Sequence, residues 1–109
     1  MPKKFLKKDH GVKRAKALNR TVHFSYIDPT ARQVCVAGTF NDWDPKKGEM
    51  ALSSEGTWRK SIGLKKGIYE YRLVVDGRWM ADPQAKHAVW NDRGEKNSLL
   101  TISDEDTEE

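Results

Sequence analysis

Turn-forming residues cut this chain, from residue 21 onward, into pieces too short to be helices. Asp28-Pro29 opens one break, and the stretch 39–50 (TFNDWDPKKGEM) is a loop rich in Asn, Asp, Pro and Gly. Lys65-Lys66-Gly67 and Asp76-Gly77 make two more. Between the breaks the apolar residues alternate rather than recur every three or four positions, which is the signature of strands. Val22, Phe24 and Tyr26 share one face of TVHFSYI (21–27). RQVCVAG (32–38) is small and β-branched on both faces, as a strand covered on both sides would be. In GTWRKSIGL (56–64), Trp58, Ile62 and Leu64 oppose Thr57, Arg59 and Ser61, with Lys60 interrupting the apolar face. In IYEYRLVV (68–75), Tyr69, Tyr71, Leu73 and Val75 face one way and Ile68, Glu70, Arg72 and Val74 the other. NSLLTI (97–102) closes the series. Six or seven strands at roughly ten-residue spacing predict an all-β fold, an antiparallel sandwich of immunoglobulin-like size.

The sharpest local signal is Asp76-Gly77, a two-residue hairpin turn. With those two residues at the tip, Val75 opposes Arg78 and Val74 opposes Trp79. Opposed residues share a face. Trp79 is therefore expected on the Arg72/Val74 face, away from the tyrosines. Trp43 lies in the polar loop between Asp42 and Asp44, poor company for a core residue. Two tryptophans beside arginine and amide side chains can form a platform. Flat rings stack on the C–H face of a pyranose, while the polar neighbours take its hydroxyls; nucleobases could use the same surface. The alternative is that both rings simply cover edges of the core.

A chain of 109 residues has room for one domain and a thin core. Its net charge of +4 is unevenly placed. Residues 1–20 carry eight Lys/Arg against one Asp, and residues 103–109 carry five carboxylates and no base. The middle holds 12 bases and 10 acids, too balanced to make nucleic-acid binding the default. The ends are expected to be a solvated basic head and an acidic disordered tail flanking a module at 21–102. Cys35 is the single cysteine, expected as a buried thiol. The N-terminal residues have charges but no apolar core of a signal peptide, and no run approaches a membrane span. A cytoplasmic setting is the expectation.

Taken together and in order, VCVAGTFNDWDP, GTW, KKGIYEYRLVVDGRWMADP and NDRGEKNSLLTI resemble carbohydrate-binding module family 48. This is the glycogen-binding domain of AMP-activated protein kinase β subunits, with relatives in isoamylases and branching enzymes. The resemblance spans about residues 21–102. It implies an early-set immunoglobulin-like sandwich that binds α-1,4-linked glucans without catalysis and without a cofactor. By the same resemblance Trp43 and Trp79 are the sugar-stacking pair, Arg72 the basic residue before the turn, and Asn97 the amide donor. Segment 84–94 runs about one residue longer than the family pattern and contains Trp90, either a third sugar contact or a plug over the sandwich end. The partner so implied is an α-glucan; a regulatory module that docks on a glycogen-metabolising enzyme or kinase, its sugar site vestigial, is the second reading.

Catalysis finds little footing. A glycosidase needs two carboxylates placed across a sugar in a cleft. Asp76 and Asp82 have structural explanations instead, the hairpin turn and a turn before Pro83. His10, His23 and His87 are scattered, with no metal-ligand spacing, phosphate loop or nucleophile elbow.

Overall fold

The computed structural model describes residues 19–103. Nearly all of the basic head and the acidic tail, and with them the expectation of flexible charged ends, lie outside the described residues. The described part is all-β, with eight strands and one short 3-10 turn. The strands are β1 (Arg20–Ile27), β2 (Val34–Gly38), β3 (Ala51–Leu52), β4 (Thr57–Leu64), β5 (Gly67–Val75), β6 (Arg78–Met80), β7 (His87–Trp90) and β8 (Lys96–Ile102); the 3-10 turn is Pro45–Gly48. Among the described residues, no helix is long and apolar enough to cross a membrane.

Two antiparallel sheets form the sandwich. One has the order β1-β4-β3 and the other β2-β5-β8-β7, with β6 also paired to β5. β5 is the central strand of the larger sheet. β2 takes one of its edges, while β8 and β6 follow each other along the opposite edge. β2 is buried at all five positions, as its apolar run demands. The alternation read from the sequence holds in β1, β4 and β5. Phe24, Trp58, Tyr71, Leu73 and Val75 join Val34, Val36 and Met50 in the main core, with Val22, Tyr26 and Ile62 packed against it. Tyr69 is only half-buried, its ring set edge-on to Phe40. A second, smaller cluster of Cys35, Ala37 and Val74 lies on the other side of β2 and β5, under Trp43. Cys35 is the expected buried thiol, and burial raises its pKa, with Glu49 adding in the same direction. Two strands escaped the sequence reading. β3 has only two residues, and β7 lies in a segment with no alternation.

The Asp76-Gly77 hairpin forms in the expected register, with Val75 opposite Arg78 and Val74 opposite Trp79. Both turn residues have positive φ, 50° and 86°. Asn, Asp and Gly tolerate this conformation best. Asp76 also works across the sheet: its Oδ1 accepts from the backbone N–H of Arg32 (2.8 Å) and Gln33 (2.9 Å). Asp76→Ala removes that acceptor and places alanine in a left-handed conformation. The expected loss is about 1–2 kcal/mol, a drop of several degrees in melting temperature, and Asp76→Asn should recover much of it. Thermal melts of the two variants check this.

Candidate functional site: a groove between two tryptophans

The outer face of β5 sets the floor of a groove of about 710 Å³. Arg72 rises from its middle, and Trp79 stands beside it on β6, on the same face as Val74. Asn97 comes from β8, whose pairing with β5 sets Leu99 across from Glu70 and Asn97 on that same side. Trp43 closes the groove from the loop after β2. Four of the residues singled out in the sequence thus line one cavity.

Each wall is fixed differently. Trp43 is held by the fold of its own loop. The Asn41 side chain accepts from the Gly38 N–H and donates to the Val36 carbonyl, both at 3.0 Å. The Trp43 N–H reaches the Gly38 carbonyl at 2.9 Å. Asp42 and Trp43 both have positive φ, 61° and 58°. Consecutive left-handed residues, one of them tryptophan, are strained, and such strain gathers at functional sites. Trp43 is then packed, half-buried, against the Cys35/Ala37/Val74 cluster. Trp79 is more open, 41% exposed.

The polar side is equally ordered. Arg72 Nη1 donates to Glu95 Oε1 (2.8 Å) and Nη2 to the Trp79 carbonyl (3.3 Å), while its Nε is buried without a partner. Arg72 therefore ties the Trp79 backbone to the loop opposite. Asn97 is buried, giving its Nδ2–H to Glu70 Oε1 (3.0 Å) and accepting from Asn91 Nδ2 (3.2 Å). Asn91 in turn shapes the rim: its Oδ1 accepts from the Arg93 N–H (2.9 Å) and the Glu95 N–H (3.0 Å). Arg78, Asn91, Asp92, Arg93 and Glu95 complete the lining. The sequence reading did not single them out. Arg78 was read only as the hairpin partner of Val75, and the stretch 91–94 (Asn-Asp-Arg-Gly) is the one local trace of the others.

Trp90 stands apart. It pairs with Lys96 on β8, one position out of phase with Asn97, so it belongs to the opposite face of the sheet. It does not line the groove, and at 70% exposed it plugs no end of the sandwich. Its ring instead carries the Lys96 ammonium, 5.2 Å from the centroid. Asp76 and Asp82 also lie outside the groove lining. Asp82 accepts from the Tyr71 hydroxyl (2.7 Å), and burial, together with this bond, raises the pKa of that phenol. Among the described residues, no group of three or more His, Cys, Asp or Glu could hold a metal ion.

Known proteins are similar to this chain in sequence. The family described as the glycogen recognition site of AMP-activated protein kinase matches residues 21–108. Protein FLOURY ENDOSPERM 6, chloroplastic, from Oryza sativa subsp. japonica is 34% identical over 77% of the chain and 15% of its own length. Protein PTST homolog 2, chloroplastic, from Arabidopsis thaliana is 33% identical over 87% of the chain and 17% of its own length. The human 5'-AMP-activated protein kinase subunit beta-2 is 29% identical over 71% of the chain and 27% of its own length. The chain thus spans less than a fifth of the two plant relatives. Both of those are chloroplastic, which overturns the expectation of a cytoplasmic setting. That expectation rested on a single thiol and on the lack of a secretory signal core or a membrane span in the sequence, none of which tells one reducing compartment from another. The matched span of 21–108, on a two-sheet sandwich carrying the expected hairpin, places the chain in the family described as the glycogen recognition site of AMP-activated protein kinase, and the chain belongs to it.

Proposed function

We propose that the groove binds α-1,4-linked glucans such as glycogen, starch and maltooligosaccharides, and that residues 21–102 act as a binding module without catalysis. The observation that carries this is the convergence of Trp43, Trp79, Arg72 and Asn97 on one open groove. The family's description as a glycogen recognition site supports the same reading. Trp79 and Trp43 stack on successive pyranose faces. The unused N–H groups of Arg72 and Asn97 meet the hydroxyls, and Arg72 holds the Trp79 backbone against the loop. A shallow site with two stacking rings gains about −4 to −8 kcal/mol, so the dissociation constant for maltoheptaose or β-cyclodextrin falls between micromolar and millimolar. Calorimetric titration tests it; no heat at millimolar ligand rejects it.

A second reading, docking on an enzyme or kinase of glycogen metabolism, draws on the human relative being a kinase subunit. Retention on insoluble amylose separates the two, because a vestigial sugar site would let the protein wash through.

A further inference from the structure

A sugar hydroxyl both gives a hydrogen bond and takes one, whereas the side chains that converge on the groove mostly give. Arg72 and the indoles of Trp43 and Trp79 have donors and no acceptor. Asn97 Oδ1 already accepts from Asn91, and Asn91 Oδ1 already accepts from two backbone N–H groups. A hydroxyl proton enclosed beside this set would leave its partner in water and find none in the protein, the costly side of a hydrogen-bond exchange. Two carboxylates in the lining can take such a proton, Asp92 and Glu95.

The two differ in how they are held. Among the described residues, no hydrogen bond or ion pair fixes the exposed carboxylate of Asp92. Glu95 is fixed at both its backbone and its side chain. Its N–H reaches Asn91 Oδ1 (3.0 Å), and its carbonyl takes the Asn91 N–H (2.7 Å). Its Oε1 takes Arg72 Nη1 at 2.8 Å, from a guanidinium that is largely buried while the carboxylate is half exposed. Oε2 of the same carboxylate accepts no hydrogen bond among the described residues. An acceptor held in place before the ligand arrives loses little freedom on binding. We propose that Glu95 is a ligand-contacting and specificity-determining residue of this groove. A vicinal pair of glucan hydroxyls bridges the ion pair, one oxygen accepting from Arg72 and the other donating its proton to Glu95 Oε2. In an α-1,4-linked chain that pair is the two secondary hydroxyls of one glucose unit. The inference rests on the groove binding glucan, and it adds a requirement that these hydroxyls be free.

Calorimetric titration of the full chain with β-cyclodextrin, and with β-cyclodextrin methylated on its secondary hydroxyls, tests this, because an ether oxygen still accepts but has no proton to give. Methylation should weaken binding to the wild-type chain roughly tenfold or more. Glu95→Gln is close to isosteric: its amide oxygen keeps Arg72, while the atom in place of Oε2 becomes a donor. That variant should bind β-cyclodextrin roughly tenfold more weakly, lose at most about threefold on methylation, and keep its melting temperature. Any clash of the added methyl groups is shared by the two proteins, so the hydroxyl proton is what separates them. The Trp79 indole signal of the ligand-free variant should match that of the wild type, because Arg72 still holds the Trp79 carbonyl. An equal methylation penalty in both proteins, undiminished β-cyclodextrin binding by Glu95→Gln, or a displaced Trp79 signal in the free variant would each overturn the role given to Glu95. No binding of β-cyclodextrin by the wild-type chain would overturn the glucan reading itself, and the inference with it.

Discussion

Trp79→Ala should abolish most glucan binding and leave the fold standing. The hairpin places Trp79 on the outer face of β5, opposite Val74, with 41% of its surface exposed. Its ring is not part of either hydrophobic cluster. Loss of an aromatic stack costs about 1–3 kcal/mol, taking base stacking as the analogue, which is roughly a ten- to hundredfold loss of affinity. A tryptophan in the core behaves differently. Trp58, 6% exposed with its indole N–H on the Asp28 carbonyl at 2.9 Å, should cost about 3–5 kcal/mol when cut to alanine. A small domain holds only about 5–15 kcal/mol in total, so that loss would be plain in a melt. Thermal melts and glucan titrations of the two variants should therefore separate cleanly. Trp79→Ala loses affinity and keeps its melting temperature, whereas Trp58→Ala loses melting temperature. A large fall in melting temperature for Trp79→Ala, with affinity kept by the folded fraction, would put this ring on the wrong side of the sheet.

Gly48→Ala should damage both the fold and the site. Gly48 ends the 3-10 turn that follows the Trp43 loop and is fully enclosed against β2. A methyl group built there overlaps the Val36 carbonyl oxygen and presses on the Asn41 side-chain amide. That carbonyl is the acceptor for Asn41, which in turn holds Gly38 and the turn leading to Trp43. Relief requires the turn to move off β2, breaking the Asn41 bonds and shifting Trp43. Overpacking of this kind costs about 1–3 kcal/mol, and the unpaired buried groups add about as much again. The expected result is a melting temperature lower by ten degrees or more and a weakened glucan affinity even in the folded fraction. A variant with unchanged melting temperature and affinity would show that the Trp43 loop is not held by this contact.

The contrast between Trp79 and Trp43 also measures how far the sequence could be read. Trp79 was legible because its place depends on a two-residue turn and a period of two, both local. Trp43 was legible only as an odd tryptophan between aspartates; its left-handed backbone and its seat on Cys35, Ala37 and Val74 need β2 and β5 already side by side. Arg72 showed its face in the sequence but not its engagement, because Glu95 lies 23 positions away on a loop that closes only when β7 and β8 pair. Trp90 illustrates the limit most clearly. Without alternation in residues 84–90, nothing local revealed a strand there, so nothing could say that Trp90 would point away from the groove. Asn91 was missed because the sequence marks it as a turn residue; its hydrogen bond to Asn97 gives the groove its rigid rim.

The four tryptophans offer the most direct test of the whole account, because their indole N–H resonances report four different environments in one spectrum. Titration of the full chain with maltoheptaose, followed by proton–nitrogen correlation, should move the indole signals of Trp43 and Trp79 and the side-chain amide of Asn97. The Trp58 signal, bonded to the Asp28 carbonyl in the core, and the Trp90 signal, on the opposite face, should stay in place. Assignment follows from the single substitutions. Shifts at Trp90 with Trp43 and Trp79 unmoved, or no indole shift at millimolar glucan, would contradict the placing of a glucan site in this groove.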